Sequence, residues 1–299
     1  MLTLPEGTLV YPSHVAGSLC GRVTNRMTGT SIGFERRSNP ALAIASEQDF
    51  VRYMMESLPE RPPNLARIVE LNKSAEPLNI SALAPLTPAA VRQVQAEGAQ
   101  VLDIRLQEAF TAGHIPDAVS IALNGGQFQN RVGSVLSPEQ ALILVAASDE
   151  EARRGVLALS VIGYTTIAGY LAGGMPRWQQ EGYVDVPLLQ IAPQELAALL
   201  ISEAPPLVVD VREPNEWAEG HLEGALHIPL SRLAAHIHRL DPHGQIVTMC
   251  QAGARSTIGA SLLRANGFSN VLNATGGINA WRQANLPIVK ELELATSTH

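Results

Sequence analysis

One set of motifs occurs twice in this chain, and it limits the fold more than any other feature. Leu102-Asp103-Ile104-Arg105, Ala112-Gly113-His114-Ile115 and Gly173-Gly174-Met175-Pro176-Arg177-Trp178 return in the same order as Val209-Asp210-Val211-Arg212, Glu219-Gly220-His221-Leu222 and Gly276-Gly277-Ile278-Asn279-Ala280-Trp281. Motifs repeated in fixed order mean that both copies share one fold. In each copy short apolar runs (Val101 to Ile104 and Leu142 to Val145; Leu207 to Val211 and Ile246 to Met249) alternate with helical segments. The alternation predicts α/β domains, each with a mostly parallel sheet flanked by helices. A chain of 299 residues suits two or three domains, and 46% hydrophobic against 16% charged residues excludes a disordered chain.

The second copy carries the run Cys250-Gln251-Ala252-Gly253-Ala254-Arg255-Ser256 between the apolar stretch from Gln245 to Met249 and a helix expected over Thr257 to Asn266. A strand that stops at a cysteine and restarts as a helix gathers backbone N–H groups and the positive end of the helix dipole around the sulfur. Such a setting favours the thiolate, the nucleophilic form of a thiol. Gly253 permits a tight turn and close approach of a ligand, and Arg255 brings a permanent cation to the rim. Ser256 falls where the helix begins, to cap it or to donate to sulfur, and Ile258, Leu262 and Leu263 would hold the helix on the sheet. A buried structural cysteine beside a turn is the plainer alternative.

These residues carry a resemblance. Residues 191 to 292 resemble a rhodanese domain: Val208 to Glu213 is the first signature, Glu219 to Ala225 the second, Cys250 to Ser256 the active loop, and Gly276 to Trp281 the closing signature. The resemblance implies sulfur transfer, in which the cysteine takes a sulfane sulfur from a donor, holds it as a persulfide and passes it to a nucleophile. It implies Cys250 as the nucleophile, with Gln251, Ala252, Gly253, Ala254, Arg255 and Ser256 lining the substrate site and no cofactor. The related cell-cycle phosphatases have an active loop one residue longer, so a tetrahedral oxyanion is expected to fit here less well than a single sulfur.

The first copy, residues 87 to 184, acts as a control. Its counterpart of the active loop is Val145-Ala146-Ala147-Ser148-Asp149-Glu150-Glu151, where Cys250 corresponds to Ala146 or Ala147. Neither can hold sulfur, and the acidic residues should repel anions, so this copy is expected to be catalytically silent. Asp103 and Asp210, Arg105 and Arg212, and His114 and His221 occupy equivalent places although one copy lacks a nucleophile. They are read as structural, paired charges at a strand end and a Gly-His turn, with Arg212 also set at the border of the substrate pocket. Trp217 and Trp281 are expected in the core. His236, His238 and His243 have no cysteine or carboxylate at metal-ligand spacing and are read as surface residues.

Net charge of −7 and the lack of a basic block argue against nucleic-acid and anionic-membrane partners. The long uncharged stretch Gly155 to Pro176 raises the question of a membrane span, but its glycine pairs read as a buried helix, a turn and a strand. Only two cysteines, Cys20 and Cys250, and no leader-like apolar start point to the cytoplasm. Cys20 is expected to be a buried free thiol.

The first part of the chain differs in character. Gly7 to His14 reads as a strand delivering a histidine into a loop, Gln48 to Leu58 as an amphipathic helix broken by Pro59 to Pro63, Leu65 to Leu71 as a second helix, and Ser74 to Pro85 as a linker. This segment, residues 1 to 73 with a linker at 74 to 86, resembles the C-terminal end of a metallo-β-lactamase-fold domain of the persulfide dioxygenase type, which occurs fused to two rhodanese domains. The resemblance places His14 in the metal-site region, as a vestige, since the histidine-rich motif of that domain is absent and one histidine cannot build a site. Residues 293 to 299 are read as a tail.

The whole reads as a sulfurtransferase that moves sulfur from thiosulfate or a low-molecular-weight persulfide to a thiol or cyanide through Cys250, with small molecules as partners. Two alternatives stay open: a non-catalytic sulfur-relay or interaction protein serving a protein acceptor, and a shortened remnant of the dioxygenase fusion that works with a separate metal-binding domain.

Overall fold

The computed structural model describes residues 3–12, 28–55, 65–74 and 83–290. The chain divides into two compact units, Met1–Arg61 and Pro62–His299. In the first, β1 (Leu9–Val10) pairs antiparallel with β2 (Thr30–Ser31). The Ser31 hydroxyl accepts the Phe34 N–H at 3.2 Å and so caps α1 (Ile32–Ser38). The amphipathic α2 spans Glu47–Met55, starting one residue before the stretch expected to be helical. His14 and Cys20 lie outside the described residues.

The second unit begins, in its described part, with α3 (Leu65–Ser74). The sequence boundary grouped this helix with the preceding segment, but it rests on the first repeat: Arg67 pairs with Glu139 at 3.0 Å, and Leu71 lies against Gly163. The first repeat then runs β3 (Pro85–Leu86), α4 (Pro88–Ala96), β4 (Gln100–Asp103), α5 (Gln107–Ala112), β5 (Val119–Ser120), α6 (Phe128–Val135), β6 (Leu142–Val145), α7 (Asp149–Ser160), β7 (Ile167–Leu171) and α8 (Gly174–Gln180). The second runs β8 (Gln190–Ile191), α9 (Pro193–Leu200), β9 (Leu207–Asp210), α10 (Pro214–Ala218), β10 (Leu226–His227), α11 (Leu230–His236), β11 (Ile246–Met249), α12 (Ala254–Ala265), β12 (Val271–Ala274) and α13 (Gly277–Gln283).

The sheets have the same topology, β3-β7-β6-β4-β5 and β8-β12-β11-β9-β10, with every pairing parallel. Both central strands are buried because helices cover both sheet faces; in β6 Leu142, Ile143, Leu144 and Val145 form an unbroken apolar run, all fully buried, and β11 departs from this only at Thr248. β3 corrects the expected linker, whose last two residues pair with Tyr170 and Leu171 and complete the first sheet. The stretch from Gly155 to Pro176 forms the end of α7, a turn, β7 and the start of α8, and no helix among the described residues is long and apolar enough to cross a membrane.

One apolar core runs through both repeats. At their junction α6 packs against α11, α12 packs against β5, and the Ser261 hydroxyl accepts the Ser120 N–H at 3.0 Å. The helix that follows the Cys250 loop is therefore held from both sides.

Candidate active site

The signature Asp-x-Arg closes a strap in each repeat. Arg212 donates through Nε and Nη2 to Asp210, and also to the carbonyls of Glu216 and Gly220 at 3.0 Å. Arg105 binds Asp103 and the Gly113 carbonyl in the same way. These pairs are buried, and their cost is offset because each guanidinium is hydrogen-bonded both to its carboxylate and to backbone carbonyl oxygen. Burial pushes the Asp103 carboxyl up against the pull of Arg105. Arg212, which the sequence reading set at the border of the substrate pocket, is 0% exposed. Its fork is spent on tying the end of β9 to the turn at Gly220. That turn is completed by His221, which exchanges backbone hydrogen bonds with Val289 and stacks on Trp217 at 3.6 Å, as His114 does with Val186 and Phe110. Trp217 and Trp281 are buried, in line with their reading as core residues.

Cys250 follows directly on β11 and is 1% exposed. Its Sγ accepts the Gly253 N–H at 3.1 Å and lies 3.4 Å from the Ser256 hydroxyl. Gly253 has φ +105° and is the residue from which α12 springs, three positions earlier than the sequence suggested. The early start removes one of the two roles read for Ser256: it does not cap the helix but sits in the first turn, where its hydroxyl is within donating distance of both the Cys250 sulfur at 3.4 Å and the Gly253 carbonyl at 3.0 Å. Thr257 Oγ1 donates to the same carbonyl at 2.9 Å, which fixes the turn. Among the described residues the N–H groups of Gln251, Ala252, Ala254 and Arg255 donate to no protein carbonyl, so the loop keeps a set of free donors around a buried sulfur.

The closing signature explains itself as a clamp under this loop. The first-turn N–H groups of α13 take the loop's carbonyls, Ile278 binding Cys250 at 2.8 Å and Asn279 binding Gln251 at 3.1 Å. The Asn279 side chain adds an acceptor for Gln251 Nε2 at 2.6 Å. The approach requires Gly277, at φ +57°, because a Cβ there would collide with the Cys250 carbonyl.

Electrostatics differ from the expectation of an open cationic rim. Arg255 is gripped by Glu216, with Nη1 and Nη2 at 2.5 and 2.6 Å from the two carboxylate oxygens. Burial pushes the Glu216 carboxyl up, but the Arg255 hydrogen bonds and the Glu213 N–H outweigh it and hold the carboxyl below its usual range. The pairing in turn raises Arg255. Glu216 lies outside all four sequence signatures, and its place at N3 of α10, where it also accepts the Glu213 N–H, suggests only a capping role.

Strand registers settle the alignment of the two loops. Asp103 pairs with Val145 as Asp210 pairs with Met249, so Ala146 is the counterpart of Cys250. The first loop reaches its helix one residue sooner, through Ser148, whose hydroxyl caps α7 by accepting the Glu151 N–H at 3.1 Å. Glu151 thereby takes the position of Ser256.

Residues 87–181 and 192–284 match the rhodanese-like domain, which places the chain in the rhodanese family with two copies of the domain. A sulfurtransferase of Allochromatium vinosum is 34% identical over 100 residues, covering 33% of this chain and 94% of the relative. The thiosulfate sulfurtransferase GlpE of Pseudomonas entomophila is 36% identical over 93 residues, covering 31% of this chain and 84% of the relative. A crystal structure of a rhodanese-related protein from Thermoplasma volcanium is 29% identical, covers 34% of this chain and 99% of its own, and has a TM-score of 0.32. A Staphylococcus aureus structure described as a metallo-beta-lactamase covers 57% of this chain and 47% of its own at 23% identity and a TM-score of 0.43, too low to establish a shared overall fold.

Proposed function

We propose that the chain is a sulfurtransferase that carries sulfur on Cys250. The observation that supports this most directly is the loop itself: a buried sulfur accepting the Gly253 N–H at 3.1 Å, with further loop N–H groups uncommitted. A thiolate there attacks the outer sulfur of thiosulfate. The bond between the two donor sulfurs breaks, sulfite leaves with its electron pair, and Cys250 becomes a persulfide with one negative charge on its terminal sulfur. The uncommitted loop N–H groups meet that charge as an oxyanion hole meets an oxygen. A thiol or cyanide then attacks the terminal sulfur and the Cys250 thiolate departs, so no net electron is gained or lost by the enzyme and no cofactor is called for. Glutathione persulfide serves in the first step in the same way, with glutathione thiolate as the leaving group.

The test is intact-protein mass after incubation with thiosulfate and, separately, glutathione persulfide. The parent chain is expected to gain one sulfur that cyanide removes, and Cys250→Ser to gain none at that position. Absence of the gain with both donors overturns the reading and favours an interaction protein. Steady-state kinetics should be ping-pong, because donor and acceptor use one sulfur in turn.

A further inference from the structure

One hydroxyl beside the sulfur faces two acceptors with a single proton. Ser256 Oγ lies 3.0 Å from the Gly253 carbonyl and 3.4 Å from Cys250 Sγ, and a hydroxyl donates to one acceptor at a time. Which of them it serves depends on what else reaches Gly253. That carbonyl already takes the Thr257 N–H at 3.0 Å and the Thr257 hydroxyl at 2.9 Å, enough to occupy both of its lone pairs. Gln107 Nε2, at the start of α5 in the first repeat, adds a longer contact at 3.4 Å. The Thr257 hydroxyl is aimed by Asn273 of β12, whose Nδ2 donates to Oγ1 at 3.2 Å and so leaves the threonine proton for the carbonyl. Thr248 of β11 holds the same turn to the sheet, its hydroxyl donating to the Ser256 carbonyl at 2.9 Å.

The fold itself does not need these groups. Thr248, Thr257 and Asn273 are all buried, and Asn273 Oδ1 has no hydrogen-bond partner among the described residues, so the amide stands in the core at a cost to stability. The first repeat builds the same sheet and helix without them. Its strand registers put Leu144 in the place of Thr248 and Tyr170 in that of Asn273, and next to Glu151, the counterpart of Ser256, Ala152 stands for Thr257. The polar relay occurs only in the repeat that has the thiol. We propose that Thr257 and Asn273 are positioning residues for Cys250: by satisfying the Gly253 carbonyl they release the Ser256 hydroxyl to hydrogen-bond the thiolate. No proton leaves Ser256; its O–H turns from an acceptor already supplied to the charged sulfur, the stronger acceptor of the two. The assignment rests on the sulfur-transfer reading above, and names what prepares the sulfur for it.

The rate at which iodoacetamide alkylates Cys250 at neutral pH, followed by the mass of the peptide that contains it, reads the thiolate without any sulfur donor. Thr257→Val should slow alkylation about fivefold, because the thiolate fraction falls more than the nucleophilicity of the remaining thiolate rises. Thr257→Ser, which keeps the hydroxyl, should react like the parent. Ser256→Ala should be slowed as well, and adding Thr257→Val to it should change the rate less than about twofold, since the effect passes through the missing hydroxyl. Thr257→Val with Asn273→Leu removes both partners of the buried bond together, and should show the same slowing with a melting temperature near the parent's, which separates the effect from damage to the fold. Parent-like alkylation in Thr257→Val or in Ser256→Ala overturns the assignment, and so does equal slowing by Thr257→Val with and without Ser256. Sulfur uptake from thiosulfate by the same chains, read by intact mass, tests the transfer reading separately. A parent that takes up no sulfur but shows the alkylation pattern overturns that reading and leaves the positioning role standing; a parent that takes up sulfur without the pattern does the reverse.

Discussion

The Glu151 carboxylate accepts the N–H of Ala147 at 2.7 Å, across the loop that in the second repeat surrounds sulfur. Its other oxygen takes the Asn124 amide at 3.3 Å, and the side chain is 7% exposed. The first repeat therefore does more than place Ala146 where the second has Cys250. Its shorter loop has closed on an internal anion, and the residue that provides it stands where the active loop has Ser256. The sequence reading took the acidic run as a repulsive surface. Asp149 and Glu150 are indeed exposed, but Glu151 turns inward and supplies what a bound anion would supply elsewhere.

Removing that carboxylate should cost stability without touching sulfur uptake. Glu151→Ala leaves the Ala147 N–H and the Asn124 amide without their acceptor, a loss of about 1–3 kcal/mol in urea unfolding. Glu151→Gln keeps an acceptor and should lose less. Cys250 should take up sulfur in both variants at saturating donor. A Glu151→Ala chain as stable as the parent would show that the loop does not depend on its internal anion.

The clamp beneath Cys250 makes a sharper prediction. Gly277→Ala places a methyl group against the Cys250 carbonyl, which must move, and it also forces alanine to φ +57°. Gly224→Ala imposes the left-handed conformation alone, at φ +74° with nothing within 4 Å of the new Cβ. Gly224→Ala should cost about 1–2 kcal/mol and keep full sulfur uptake at Cys250. Gly277→Ala should cost more and lose most of the uptake, read by intact mass. Equal behaviour of the two would mean that the close approach of α13 does not set the loop.

The fold was legible because its signals are local and doubled. Periodicity located β6 and β11 to the residue, and the repeated Asp-x-Arg and Gly-His words were read as structural because they recur beside a loop without a thiol. The straps at Arg105 and Arg212 agree with that. Less visible was everything that crosses between distant segments. Glu216 is 39 residues from Arg255 in sequence, and Gln107 is 146 residues from Gly253, so neither belongs to any local pattern. The start of α12 was displaced because Gly253 alone, through its positive φ, decides where the turn ends and the helix begins. α3 was grouped with the wrong neighbours because its amphipathic face, readable in sequence, does not say which surface will cover it.

His114 gives the first repeat a pH dependence whose sign follows from its burial. Desolvation is the main cause that lowers its pKa from 6.5 to about 4, reinforced by the charges of Arg264 and Arg105 and opposed by the Phe110 carbonyl and Asp185. The ring stays neutral, donating from Nδ1 to the Phe110 carbonyl at 2.9 Å while stacked on the Phe110 ring. Below pH 6.5 the unfolded chain binds a proton that the folded chain refuses until about pH 4. Stability from this group is thus complete above the unfolded value and is lost as pH falls across that window, to a limit of about 3 kcal/mol. His114→Asn retains a donor for the Phe110 carbonyl but has no proton to gain. It should be less stable than the parent at neutral pH, having lost the stacked ring, yet its stability should fall less on acidification. Urea unfolding of parent and variant across the window measures the difference, in which the carboxylates common to both chains cancel. Parallel profiles for the two would mean that another group sets the acid sensitivity and that His114 is not held neutral by its burial.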